Sequence, residues 1–447
     1  MMHTPIYDFA RNYADSDAIR MHMPGHKGIA RLGCEPLDLT EISGADELFA
    51  PESIIAESEA NASEVFGCRT VYSAEGASLC IRAMLYLAVS DARAQGRKPV
   101  IAAARNVHKT FLTAAALLDF EILWLPQQKG QSYLCGCPTA AQLAETYENA
   151  PEKPCALYLT SPDYLGHTAD IRAAADFCHA HGMRLLTDAA HGAYLHFLPQ
   201  PQHPADLGAD LCCTSAHKTL PVLTGGAYLH IGNGAPTLFA EQCKAAMALF
   251  ASTSPSYLIM ESLDLCNAYL HDSFSAELRA FLPYVQRMKQ QLAEAGFALC
   301  GDEPMKVTLM PKSYGYTGTA LAEILQNQHI YVEFADPDYL VLMMSPQTPP
   351  AHLQKVTDFL CKLPRRRPIT ALPPELPQPE FVMTPREVML APKLRLPAGS
   401  CIGKVCAEFT VSCPPAVPIV MCGERISAEA AACFAYYGCE SCTVAAE

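Results

Sequence analysis

Short apolar runs alternate with helix-like stretches through the middle of the chain. Pro99–Ala104 (PVIAAA), Glu121–Leu125 (EILWL), Ala156–Thr160 (ALYLT), Arg184–Thr187 (RLLT), Leu211–Thr214 (LCCT) and Gly226–Ile231 (GAYLHI) read as buried strands. Lys109–Leu118 and Ile171–His181 carry helical spacing between them. Runs of this length also suit buried helix, but strands that alternate with helices imply βαβ units and a mainly parallel sheet. Ser256–Ala295 is helical in pattern, and Lys306–Val341 holds the pieces of a smaller α/β unit. Pro364–Phe381 is proline-dense and reads as a semi-rigid linker. Pro385–Glu424 beyond it reads as a compact C-terminal module, and no internal repeat is found.

With 447 residues, half of them hydrophobic and 17% charged, the chain has material for two or three globular domains. No apolar run is long enough to cross a bilayer. The segment Met1–Arg20 mixes Asp8, Arg11, Asp15 and Asp17 with apolar residues, unlike a signal peptide, so a cytoplasmic location is expected. The net charge of −14 disfavours nucleic acid as a partner, which needs basic patches. Arg365-Arg366-Arg367 is the only basic run, at the start of the linker. An acidic surface could gather a cationic substrate or serve solubility alone.

The 20 cysteines invite a disulfide or metal reading. Many, such as Cys80 and the pair Cys212-Cys213, sit inside apolar runs, where free cysteine behaves as a small hydrophobe. The one CxxC, Cys439–Cys442, has no second pair at zinc-finger spacing. His22 and His26 are four apart, but Pro24-Gly25 between them would break the helix needed to bring both onto one metal. Reduced thiols and no metal are expected.

Four pieces carry chemistry. Ser215-Ala-His217-Lys218 follows the run that ends at Thr214, and open α/β sheets place ligands at strand ends. A lysine held there can form a Schiff base with an aldehyde cofactor, and Ser215 and His217 can both donate to a phosphate. Thr187-Asp188-Ala-Ala190-His191-Gly192 lies at another strand end. Asp188 stands 30 residues before Lys218, about one βαβ step. A carboxylate there can keep a pyridine nitrogen protonated, and Ala190 is small enough for a flat ring to lie against. Glu75-Gly76-Ala77-Ser78 opens the helical pattern Leu79–Ala88, where free N–H groups and a hydroxyl make an anion cradle. Arg105-Asn106-Val-His108-Lys109 offers His108 to stack on a ring. Taken singly, each has a blander reading: an exposed loop lysine, an aspartate N-cap, an ordinary helix start, a capping or core histidine. Together they form an ordered set of phosphate loop, stacking histidine, ring-nitrogen aspartate and Schiff-base lysine.

With these residues in view, the chain resembles the Orn/Lys/Arg decarboxylase family. Met23–Gly28 (MPGHKG) and Asp38–Gly44 (DLTEISG) resemble two of its N-terminal segments. Thr160–Gly166 (TSPDYLG) is similar to TSPTYYG, Asp188–Gly192 (DAAHG) to DEAHG, and Ser215–Lys218 matches SxHK. Pro414–Pro418 through Gly423-Glu424 is similar to a PPGIP…GE pattern. The resemblance implies an α/β chain with a fold type I (aspartate aminotransferase-like) large domain built on a mainly parallel seven-stranded sheet, plus smaller α/β C-terminal domains. It places a pyridoxal-5′-phosphate-binding domain at 1–270, connecting helices and a small α/β domain at 271–363, the linker at 364–381 and a C-terminal decarboxylase domain at 382–447. The signature begins by His22, which implies the short form without an N-terminal wing.

By the same resemblance, the chain decarboxylates lysine, arginine or ornithine to a di- or polyamine and CO₂. The catalytic set is Lys218, His217, His108 and Asp188. Lys218 carries pyridoxal phosphate as a Schiff base, Asp188 pairs with the ring nitrogen and His108 stacks on the ring. Gly76, Ala77, Ser78, Ser215 and His217 hold the phosphate, Ala190 lies against the ring and His191 lies on its hydroxyl side. The family implies a homodimer or larger assembly with shared sites, in which Thr253 serves a neighbouring subunit. Ala189, Ala77, Leu79 and Asp163 depart from the family pattern, Asp163 standing where a threonine is usual. Glu424, Glu408 and Asp46 are candidates to read the substrate's distal cation, each of which also suits a solvated surface carboxylate. An aminotransferase or lyase of the same fold, and a non-catalytic binding subunit, are the alternatives.

Overall fold

The computed structural model describes residues 2–127, 130–409 and 417–446, so part of the Pro414–Pro418 motif lies outside the described residues. Seven strands carry the larger architecture: β1 (Arg69–Ser73), β2 (Val100–Ala103), β3 (Glu121–Trp124), β4 (Ala156–Thr160), β5 (Arg184–Asp188), β6 (Leu211–Thr214) and β7 (Ala227–Ile231). They form one mixed sheet in the order β1-β7-β6-β5-β4-β2-β3. The chain groups into two compact units, Met1–Lys98 with Cys155–Leu157 and Ile171–Arg279, and Pro99–Pro154 with Tyr158–Asp170 and Ala280–Glu447.

In the first unit, β5 and β6 run parallel with Asp188 opposite Cys213. β7 runs antiparallel to both β6 and β1. β1 was not among the apolar runs, because Thr70 and Ser73 are polar. Both are nevertheless buried, and the Thr70 hydroxyl meets His230 Nδ1 on β7 at 3.0 Å. The helix Gly76–Ala94 packs on β7, β6 and β5 and buries Leu79, Cys80, Ile81, Met84, Leu85 and Leu87. It is apolar around most of its circumference, as a helix enclosed by protein must be. Ile171–Ala180 is more one-sided and turns Ile171, Ala174, Ala175 and Cys178 inward.

A buried polar network locks β1 and β7 to the surrounding helices. The Tyr72 and Ser58 hydroxyls meet at 2.6 Å, and Tyr228 donates to Asn267 Oδ1 at 2.9 Å. The Ser58 hydroxyl donates to Asp264 Oδ1. Asp264 Oδ2 accepts from the backbone N–H of Ile6 (2.9 Å) and Tyr7 (3.0 Å). Thr4, the residue before the helix Pro5–Ala14, makes no side-chain cap, so a side chain 258 residues away satisfies the helix start instead.

In the second unit, β2 and β3 pair in parallel. β8 (Ala298–Cys300), β9 (Lys306–Met310), β10 (Phe334–Ala335) and β11 (Leu340–Met343) form an antiparallel sheet in the order β10-β11-β9-β8. The small α/β piece thus begins before Lys306. β12 (Lys393–Pro397) and β13 (Ser441–Ala445) pair antiparallel at the C-terminal end. The linker Pro364–Phe381 has no helix and no strand ladder. Its arginines are not a free basic run: Arg366 lies 4.3 Å over the Tyr316 ring and Arg365 5.8 Å over Tyr314. All the described cysteines are free thiols, and Cys442 of the CxxC packs in the core with its Sγ 3.9 Å from that of Cys406. No helix among the described residues is long and apolar enough to cross a membrane.

Asp264→Ala leaves two buried N–H groups without an acceptor and should lower unfolding free energy by roughly 1–3 kcal/mol, read from a thermal or urea midpoint. Burial also pushes the Asp264 carboxyl up to about 6. A raised carboxyl favours the folded state fully below about pH 4 and loses that contribution as the pH rises through about 6. Asp264→Asn should therefore remove part of the fall in stability across that interval.

Candidate active site

β5 and β6 end side by side at one edge of the sheet, and each leads into a candidate site residue there. β5 terminates on Asp188, which is 3% exposed. Asp188 Oδ1 accepts from the Ala190 N–H at 3.1 Å and contacts the Cys213 thiol at 3.8 Å. Aspartate at this turn thus shapes the loop after the strand rather than capping a helix. The surroundings are desolvated: burial pushes the Cys80 thiol up to about 12 and the Cys213 thiol well above its usual value, with the Asp188 charge as a smaller cause in both.

After β6, Ser215 opens a single helical turn, Ala216–Thr219. Lys218 stands on this turn with its Nζ 2.9 Å from His191 Nε2. His191, from the loop after β5, is buried. The lysine ammonium donates, so His191 Nε2 carries the lone pair. The Ser215 N–H reaches the Ala190 carbonyl at 3.3 Å, which ties the two loops together. His217 faces the other way, its backbone N–H (3.2 Å) and its Nδ1 (3.0 Å) both on the Gly226 carbonyl. Burial lowers the His217 imidazole pKa, and the Lys218 charge adds to the effect.

β1 leads into Glu75 and the helix start Gly76-Ala77-Ser78. The Gly76 N–H is not free for a ligand: it donates to the Gly225 carbonyl at 2.6 Å. The remaining first-turn N–H groups are those the helix itself does not satisfy. Gly76 has φ +71, and an added Cβ would meet nothing within 4 Å, so the space over the helix start is open. Glu75 Oε1 accepts from the Ser252 N–H at 2.7 Å and tethers the exposed loop that holds Thr253. That tether was not foreseen from sequence, because 177 residues separate its ends.

The first unit therefore brings together Asp188, Ala190, His191, Ser215, His217 and Lys218, with Gly76, Ala77 and Ser78 on the helix that packs against the same strands. His108 belongs to the second unit. There it caps the helix Lys109–Leu118, its Nδ1 accepting from the Thr110 N–H at 3.2 Å. The bland capping reading is thus realised, and its ring Nε2 is left outside that cap.

The distal-cation candidates are placed otherwise than expected. Glu424 is buried, not solvated, and its two oxygens take both Arg105 guanidinium nitrogens at 2.6 and 2.9 Å. Arg105 also lies 5.7 Å over the Trp124 ring. Asp46 is buried as well and accepts backbone N–H groups of Glu47, Glu52, Ser53 and Ile55, which organise its own loop. Glu408 accepts the Thr443 hydroxyl at 2.6 Å. His22 contacts Tyr13 at 2.6 Å and His26 contacts Asp38 at 3.1 Å, so the two histidines serve separate partners.

Residues 4–299 match the family model described as "Orn/Lys/Arg decarboxylase, major domain". The chain is 30% identical over 463 aligned residues to the uncharacterized protein YaaO of Bacillus subtilis, covering 96% of this chain and 93% of that protein. It is 27% identical to an arginine decarboxylase of the same organism, covering 95% and 92%. Among solved structures, the lysine decarboxylase LdcF of Francisella novicida superposes with a TM-score of 0.77 at 16% identity, over 99% of this chain and 81% of that one. The constitutive lysine decarboxylase of E. coli gives 0.75 at 17%, over 99% and 80%. At these identities the superpositions speak for the fold.

Glu424→Ala strands a buried guanidinium and should cost roughly 3–5 kcal/mol of stability. In the folded fraction, relative turnover of lysine, arginine and ornithine should stay as in the parent chain. A selective loss of one of them would restore Glu424 as a substrate-reading residue.

Proposed function

The chain belongs to the Orn/Lys/Arg decarboxylase family, and from that membership we propose that it is a pyridoxal-5′-phosphate-dependent decarboxylase of a basic amino acid, with the cofactor held on Lys218. The observation that carries the Lys218 assignment is its contact with His191 on a loop turn beside the end of β5, where Asp188 sits. The residues present fit the group. A primary amine, a buried carboxylate and a helix start with open space over Gly76 are the donor set that an aldehyde, a pyridine nitrogen and a phosphate require. When bound, pyridoxal phosphate supplies an electron sink for the pair left as the substrate's α-carboxylate departs.

The chain's own residues divide the remaining work. Lys218 attaches the cofactor through Nζ. Asp188, buried beside the Cys213 thiol, would pair with the ring nitrogen of the bound cofactor. Ala77, Ser78 and Ser215 bind the phosphate together with the helix start, and Ala190 leaves room for the ring. Gly76 contributes the open space over the helix rather than its N–H. His217 Nδ1 is committed to Gly226, which leaves Nε2 for the phosphate side.

A proton must replace the lost carboxylate on the α-carbon. His217 is a poor source, because burial keeps it neutral near pH 7. Lys218 Nζ can deliver that proton, with His191 Nε2 at 2.9 Å able to take up or return one behind it. Thr253, on the exposed loop tethered by Glu75, would serve a neighbouring subunit, which makes a homodimer or larger assembly the working form. Several relatives are named arginine decarboxylases, so arginine is the first substrate to offer.

The purified chain with added pyridoxal phosphate should release CO₂ and the matching amine from one of arginine, lysine and ornithine. Lys218→Ala should lower that turnover by at least 10³-fold, of the order expected when a group acting as both attachment point and proton donor is removed. Keto acid in place of amine and CO₂ would shift the reaction to transamination, and wild-type turnover in the variant would remove Lys218 from its role.

A further inference from the structure

The second unit gathers an imidazole, a carboxylate and three thiols that the proposed reaction does not use. Asp163 and His167 lie on the loop that follows β4, Cys135 and Cys137 flank Gly136, and Cys300 ends β8. Cys135 Sγ is 3.6 Å from His167 Nδ1, and His167 Nδ1 is 3.0 Å from Asp163 Oδ2. One ligand atom from each of the three lies within 4.8 Å of the others. Zinc bonds of about 2.0 Å to nitrogen or oxygen and about 2.3 Å to sulfur put tetrahedral ligand atoms roughly 3.3–3.6 Å apart. The triad is therefore near coordination spacing already.

The carboxylate is also oriented in advance. Asp163 is fully buried, and its Oδ1 accepts the N–H groups of Leu165 and His167, both at 2.9 Å, while Oδ2 turns to the imidazole. Lys306 Nζ holds the Asp163 main-chain carbonyl at 3.1 Å. Partners of this kind fix ligand direction in metal sites. Around the carboxylate the thiols are in an unfavourable setting: burial first, then the Asp163 charge, push Cys137 and Cys300 up to about 12 and Cys135 higher still. A cation at the centre would reverse that repulsion.

A second observation points to the same place. Asn106 is 2% exposed, and neither its Oδ1 nor its Nδ2 has a hydrogen-bond partner among the described residues. It packs on the Cys-Gly-Cys turn so closely that a Cβ on Gly136 would come within 2.0 Å of Asn106 Oδ1. A small cleft lined by Cys135, Cys137, Gln131, Gln142 and Arg105 reaches the turn.

We propose that Cys135, Asp163 and His167 form a binding site for one borderline divalent cation of the zinc class, with the thiol of Cys137 or Cys300 completing the shell. On binding, Cys135 and the second thiol each release a proton to solvent, and His167 coordinates through Nδ1 with its proton on Nε2. Thiolate, imidazole and carboxylate together select zinc-like ions over magnesium or calcium.

The test uses the untagged full chain, reduced, stripped with a chelator and titrated with Co²⁺. One equivalent should bind with a thiolate-to-cobalt charge-transfer band and the visible absorption of tetrahedral cobalt, and one equivalent of Zn²⁺ should abolish both. Cys135→Ser should lose a large part of the charge-transfer intensity, the remainder coming from the second thiolate, and His167→Gln, at a partly exposed side chain, should weaken binding at least tenfold. Lys218→Ala should keep wild-type cobalt binding, which separates this site from the cofactor site. Should Cys135→Ser fail to fold, His167→Gln alone decides. No stoichiometric band in the parent chain, or a wild-type band in the folded variants, overturns the proposal.

Discussion

The parallel pairing of β5 with β6 is the constraint on which the site depends. Its register sets Asp188 opposite Cys213, so two strands that leave the sheet at the same edge drop their loops into one place. The loop after β5 carries His191 and the turn after β6 carries Lys218, and the 2.9 Å contact between them follows from that pairing. A register shift of one residue would turn Asp188 to the opposite face of the sheet and away from Lys218. The antiparallel strand β7 supports the arrangement from the side. The Gly226 carbonyl just before it takes both bonds from His217, and the neighbouring Gly225 carbonyl anchors the helix start at Gly76.

Much of this was legible in the chain. Ala156–Thr160 and Leu211–Thr214 are strands over the residues their hydropathy marked, and Lys109–Leu118 is a helix over the same span. These elements announce themselves because most of their side chains are apolar. β1 did not, because it buries the polar Thr70 and Ser73: Thr70 meets His230 on β7, a partner only the fold supplies, while Ser73 is satisfied locally by the Gly76 carbonyl. The strand-end logic led to Asp188, His191 and Lys218, since a residue at a strand terminus keeps its place whatever the details of the loop.

The readings that went astray share a cause. Glu424 and Asp46 look like surface carboxylates in a sequence, because nothing local shows a partner. Arg105 meets Glu424 across 319 residues, and the backbone N–H groups around Asp46 appear only once its loop closes. Two of the linker arginines, similarly, are held over tyrosines from another element. The Cys135–Asp163–His167 cluster joins segments that share no motif spacing, so it was not legible in the sequence.

The proposed division of labour at the site rests on Lys218 being the one residue that binds the cofactor covalently. Borohydride reduction of the purified chain loaded with pyridoxal phosphate, followed by peptide mapping, tests this most directly. The account predicts a single stable phosphopyridoxyl adduct, on the peptide that contains Lys218. An adduct on a different lysine, or none in a chain that still releases CO₂ from a basic amino acid, would contradict it.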